Sequence, residues 1–190
     1  PGTTTELNIA DFFRANNLRF TPVVIADLDE IRRAYDSGRC DVFTNDFAAL
    51  AAQRTLLTRP ADHVILPERL SKEPLAVTIR QGDEELTNIV AWTTFALIDA
   101  EEMGITMANV EQTAATSTNP VVRRLLGVEG NMGESLGAAR ADYARQIIRT
   151  FGNYGEIFER HLGTNTPLGL ERGMNNIWTR GGLLYAPPAR

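Results

Sequence analysis

Two groups in this sequence carry residue types suited to holding a charged small molecule. Gly2-Thr3-Thr4-Thr5 stands just before a run with helical spacing. At such a helix start, free backbone N–H groups, hydroxyls and the positive end of the helix dipole all favour an anion. Asp46 follows the short apolar run Val42-Phe43-Thr44, so its carboxylate lies at a strand end. An anion site beside a carboxylate suits a zwitterion, with the helix end taking a ligand carboxylate and Asp46 its ammonium. Each group also has a plain structural reading: threonines before a helix cap it, and an Asp after a strand caps the next helix. The residues alone leave both open.

The other chemistry-bearing residues point away from catalysis and metals. His63 and His161 stand far apart, with no Cys, Asp or Glu at ligand spacing, so no metal is expected. Cys40 sits between Gly38-Arg39 and an apolar run, a setting for an inert or disulfide-bonded thiol rather than a nucleophile. Glu84-Glu85 and Glu101-Glu102 are adjacent pairs on one helical pattern, so their side chains diverge and read as solvated charges. Gly152-Asn153-Tyr154-Gly155 reads as a structural turn between helices. No cofactor and no enzymatic activity are expected.

The elements that must position these residues alternate at first. A capping-box pattern, Thr3 to Glu6, starts a helix from about Thr4 to Asn16. Pro22 to Ile25, Val42 to Thr44, Val64 to Leu66 and Leu75 to Ile79 read as short strands. Helices fall between them, one from Leu28 stopped by Gly38 and one over Phe47 to Leu57. Short strands alternating with helices predict an α/β fold, with a mostly parallel sheet flanked by helices. Ligands bind such sheets beyond the carboxyl ends of the strands, where both groups fall.

Beyond Leu75 to Ile79 the chain reads as helical or irregular, so residues 1–80 and 81–190 are expected to form two parts. Glu84 to Met103 is a long helix, followed by Pro120 to Leu126, Ala138 to Thr150, Tyr154 to Leu162 and Leu170 to Trp178. Thr113 to Asn119 and Gly127 to Gly137 read as loops.

Composition narrows the partners. The 190 residues are 43% hydrophobic and 23% charged, enough to bury a core, and the net charge is −5. An acidic chain without a clustered basic surface is not a nucleic-acid binder. The longest apolar stretch, Ile89 to Ile98, falls short of the roughly 20 residues of a membrane span. Pro1-Gly2-Thr3 shows no signal-peptide pattern.

Longer strings carry a resemblance. Gly2-Thr3-Thr4-Thr5-Glu6-Leu7-Asn8, Ala34-Tyr35-Asp36-Ser37-Gly38-Arg39-Cys40-Asp41-Val42, Gly152 to Arg160 and Trp178 to Pro188 resemble the periplasmic binding component of the general L-amino-acid ABC transporter. That resemblance implies a type II periplasmic binding protein, whose two α/β lobes close over an amino acid. It puts the ligand carboxylate on Thr4, with Thr3 and Thr5 as neighbours. It puts the ammonium on Asp46, five residues after Asp41 of Gly38-x-x-Asp41. Residues 1–80 then correspond to the second lobe, and 81–190 to helices that normally pack on the first. The implied function is periplasmic capture of free L-amino acids for delivery to ABC permease subunits. The chain departs from the family pattern in lacking most of the first lobe, with its carboxylate-clamping arginine and the strand leading into Gly-Thr-Thr. That strand carries a cysteine in relatives, which leaves Cys40 a candidate half of a disulfide with a partner outside this chain.

The departure keeps a second function open: a truncated lobe that binds little amino acid and acts as an interaction or self-associating module. Trp92, Phe95, Leu97 and Ile98 are expected to form an exposed apolar patch, to be covered by the missing lobe or by a second copy of the chain.

Overall fold

The computed structural model describes residues 1–137 and 140–189. It divides into two compact units, Pro1–Ala76 with Pro167–Leu170, and Val77–Thr166 with Glu171 onward. Each is described by itself.

The first unit carries α1 (Thr4–Ala15), α2 (Leu28–Asp36) and α3 (Phe47–Thr55). Local chemistry starts each of them. The Thr3 hydroxyl accepts from the Glu6 N–H at 3.3 Å, and the Asp27 carboxylate accepts from the Glu30 N–H at 2.8 Å. Glu6 completes only half of the expected capping box, because its carboxylate takes the Gly2 N–H instead of that of Thr3. Side chains tie the helices to their surroundings. Arg32 donates to Gln53, the Tyr35 hydroxyl meets His63 Nδ1 at 2.9 Å, and Asp36 accepts from both the N–H and the hydroxyl of Thr58. The Thr58 hydroxyl is the main reason the Asp36 carboxyl titrates below its usual range.

The four expected strands are a correction. Among the described residues no strand is present, and the one ladder-type pairing is an isolated bridge between Ile177 and Leu184. A parallel ladder forms only when a neighbour supplies the opposing N–H and C=O groups. Residues 22–25, 42–44, 64–66 and 75–79 take no regular secondary structure, and Val42, Val64, Leu66 and Leu75 stand exposed. This unit accordingly buries few large side chains: Leu57 and Leu170 are inside, whereas α1 buries none.

The second unit holds the apolar core. Its helices are α4 (Glu84–Glu102), α5 (Val110–Thr116), α6 (Pro120–Leu125), α7 (Met132–Ser135), α8 (Tyr143–Phe151) and α9 (Tyr154–His161). One face of α4, through Ala96 and Ala100, packs with Ile105, Val110, Leu125, Leu126, Tyr143 and Ile148. Small residues on α4 let its neighbours approach closely, and the large aliphatic ones fill the space between. The polar run at Thr113 forms part of α5 rather than a loop, because Val110 and Ala114, one turn apart, are both buried. Asn153 caps α9 with a reciprocal Glu156 bond, and its amide also donates to the Ile105 carbonyl at 2.8 Å. Gly152 to Gly155 is therefore a structural turn. The helix expected from Ala138 begins at Tyr143; Ala138 and Ala139 lie outside the described residues.

Three expectations fail together at the C-terminal segment. Leu170 to Trp178 is no α-helix; a short 3-10 turn, Gly173–Asn175, forms there, and a second, Trp178–Arg180, begins at its end. The segment instead folds back on α4, where Ile177 and Ala186 cluster with Ile98, and Phe95 and Leu184 pack alongside. Leu97 packs against the main core. Phe95, Leu97 and Ile98 of the expected patch are thus packed within this chain, while Trp92 is half-buried. Glu101 is no solvated charge either. Its carboxylate, 5% exposed, receives both terminal nitrogens of Arg172 at 3.0 Å, and Arg180 approaches at 3.4 Å.

Candidate functional site

Thr3, Thr4 and Thr5 all stand at the start of α1. Thr3 is the N-cap, its hydroxyl committed to Glu6. Thr4 donates its hydroxyl to the Glu73 carboxylate at 3.0 Å, and the same carboxylate takes the Asn8 side-chain amide. Thr5 is half-buried. An acidic group of this chain therefore already sits where α1 presents its dipole and hydroxyls, the environment that favours anions. Glu73 and Asn8 escape motif reading. Asn8 is one turn after Thr4, a spacing that could have put it on the same helix face. Glu73 arrives from 69 residues away, and no local signal announces it.

Asp46 is the N-cap residue of α3, yet its side chain makes no capping bond. Its own N–H donates to the Asn45 side-chain oxygen at 2.8 Å. No hydrogen bond or ion pair among the described residues uses its half-buried carboxylate, nor links it to Thr3, Thr4 or Thr5. An uncommitted carboxylate at a helix start can accept an ammonium without first breaking an internal bond. The structure thus gathers the three threonines at one helix end and leaves Asp46 on another helix of the same unit. Cys40 is a half-buried free thiol.

Known proteins resemble this chain from end to end. It is 52% identical over 189 residues to the glutamate/glutamine/aspartate/asparagine-binding protein BztA of Rhodobacter capsulatus, covering all of this chain and 56% of the relative. It is 51% identical over 191 residues to the general L-amino acid-binding periplasmic protein AapJ of Rhizobium johnstonii, covering 55% of it. The homologues of this chain are the amino-acid-binding proteins of ABC transporters. A solved structure agrees: an ABC transporter periplasmic binding protein from Brucella ovis with glutathione bound matches at a TM-score of 0.93 and 51% identity. All of this chain and 59% of that one are covered. The backbone therefore follows a periplasmic binding protein throughout. The chain spans little more than half the length of the relatives it matches. No family model matches it. Among the described residues no helix is long and apolar enough to cross a membrane.

Proposed function

We propose that this chain is part of a periplasmic solute-binding protein that holds a free L-amino acid and delivers it to the permease subunits of an ABC importer, without catalysing a reaction. The observation that carries the reading is identity of about half of all positions, end to end, with proteins named for amino-acid binding. The site we assign is the start of α1 with Asp46: Thr4, flanked by Thr3 and Thr5, takes the ligand carboxylate, and Asp46 takes the ammonium. The uncommitted Asp46 carboxylate supports its part. Groups that grip only the amino and carboxyl ends common to all amino acids favour broad selectivity. Glu73 occupies the Thr4 hydroxyl and the Asn8 amide, so the ligand carboxylate has to displace it.

Residues up to about 80 correspond, in this reading, to most of a second lobe, and the helical remainder packs on a first lobe encoded outside these 190 residues. The segments at 22–25, 42–44, 64–66 and 75–79 become strands of a parallel sheet once a neighbouring strand from that region joins them. Their exposed β-branched residues support this, as does the partial coverage of the longer relatives. Exposed Val42, Val64 and Leu75 also favour the second reading, a lobe that associates with another chain or with a copy of itself.

Variants separate the two. Asp46→Asn and Thr4→Val in the protein at its natural length are expected to weaken amino-acid binding by about tenfold or more each, since each removes a partner of a charged ligand group. Unchanged affinity in both variants would rule out this site.

A further inference from the structure

The second unit contains a cleft that the amino-acid reading does not use. Trp92 of α4, Arg124 at the end of α6, the loop Glu129-Gly130-Asn131, and Met132, Ser135 and Leu136 of and after α7 line about 250 Å³. The backbone around it is closely packed. A Cβ at Gly127 would lie 2.5 Å from the Ala141 carbonyl oxygen, and one at Gly133 would run into the Arg140 carbonyl.

Charge is unbalanced inside it. Arg124 is half-buried, and its Nε is removed from solvent with no hydrogen-bond partner among the described residues. The one carboxylate on the lining, Glu129, is already paired with the neighbouring Arg123. None of the ion pairs among the described residues includes Arg124. A guanidinium with no carboxylate partner favours a nearby anion. Guanidinium is also the group best shaped for a carboxylate, which it binds with two parallel bonds. Beside it lie the indole of Trp92 and the apolar side chains of Met132 and Leu136. The volume is below that of a drug-sized site, so the occupant is small.

We propose that this cleft is a distinct ligand site, taking a small organic carboxylate held by Arg124 with its apolar body against Trp92, Met132 and Leu136. It lies wholly within the second unit, so it stands or falls independently of Thr4 and Asp46. The class is that of aryl and alkyl carboxylates no larger than a single amino acid or a small dipeptide.

Phenylacetate is the probe, and the arginine Nε–H signals of the natural-length protein, read by NMR, are the report. The Arg124 signal is assigned as the one missing from the Arg124→Lys spectrum. A saturable shift of that signal with phenylacetate is expected, with acetate much weaker and phenethylamine inactive. Arg124→Gln should weaken the affinity by about tenfold or more, while Arg124→Lys keeps the charge, loses the fork and falls between. Glu129→Gln frees Arg123 and should tighten binding a few-fold. No saturable shift in the unmodified protein overturns the proposal, and so does an unchanged affinity in a folded Arg124→Gln variant. Acetate binding as tightly as phenylacetate overturns the apolar half of the site.

Discussion

Replacing Arg172 with methionine tests how the C-terminal segment is held. Arg172 joins Glu101 through two 3.0 Å bonds, donates to the Asn175 carbonyl, and lies 5.1 Å from the Phe158 ring and 5.4 Å from that of Tyr154. Removing one partner of a buried ion pair typically costs about 3–5 kcal/mol, because the other charge is left desolvated. Arg180 stays near Glu101, but at 3.4 Å and with 61% of its side chain exposed it returns at most about 1 kcal/mol. The lost ring contacts add about 0.5–1 kcal/mol. The net expectation is a loss of about 3 kcal/mol, or a fall of about 1–2 M in the urea midpoint at an m-value of about 2 kcal/mol/M. Circular dichroism during urea unfolding reads it. The double variant Glu101→Leu with Arg172→Met should recover much of the loss, since apolar residues can replace a buried pair. A midpoint shift under about 0.5 M, or a double variant as unstable as the sum of its parts, refutes the reasoning.

Three further outcomes follow from the same geometry. Burial, helped by the neighbouring Glu102 charge and opposed by the Ala189 N–H, lifts Asp99 to about 6. The folded state then keeps a proton that the unfolded chain releases, so the Asp99 contribution is complete below pH about 4 and lost as pH rises through about 6. It amounts to about 3 kcal/mol at most, and Asp99→Asn should flatten that part of a stability–pH curve measured by urea unfolding. Gly155→Ala should cost about 1–3 kcal/mol in thermal unfolding, because the added Cβ lies 2.8 Å from Glu101 Cδ and 3.0 Å from Arg172 Nη1. Glu73→Ala releases the Thr4 hydroxyl and the Asn8 amide, and calorimetric titration should find amino-acid affinity raised a few-fold.

The sequence disclosed the helices better than the sheet, for physical reasons visible at particular residues. Helices close their hydrogen bonds locally, so Thr3, Asp27, Asp83 and Asn153 each mark a start that the structure keeps. Strands depend on a neighbour, and Val42 to Thr44 has none among the described residues. Glu101 reads as a solvated charge beside Glu102, yet its spacing points the other way: Phe95, Ile98 and Glu101 fall three residues apart on one face of α4, the face the C-terminal segment covers. What covers that face comes from more than 70 residues away, beyond the reach of local pattern. For the candidate site, Thr3, Thr4, Thr5 and Asp46 were legible as helix-start chemistry, whereas Glu73 was not, because its place beside Thr4 is a tertiary contact.

The most direct measurement is isothermal titration of the protein at its natural length with L-glutamate, L-glutamine, L-leucine and L-arginine, beside Asp46→Asn. The account predicts saturable binding of several of these amino acids, lost or greatly weakened in the variant. Absence of binding for all four would contradict it and give the lead to the reading of an associating lobe.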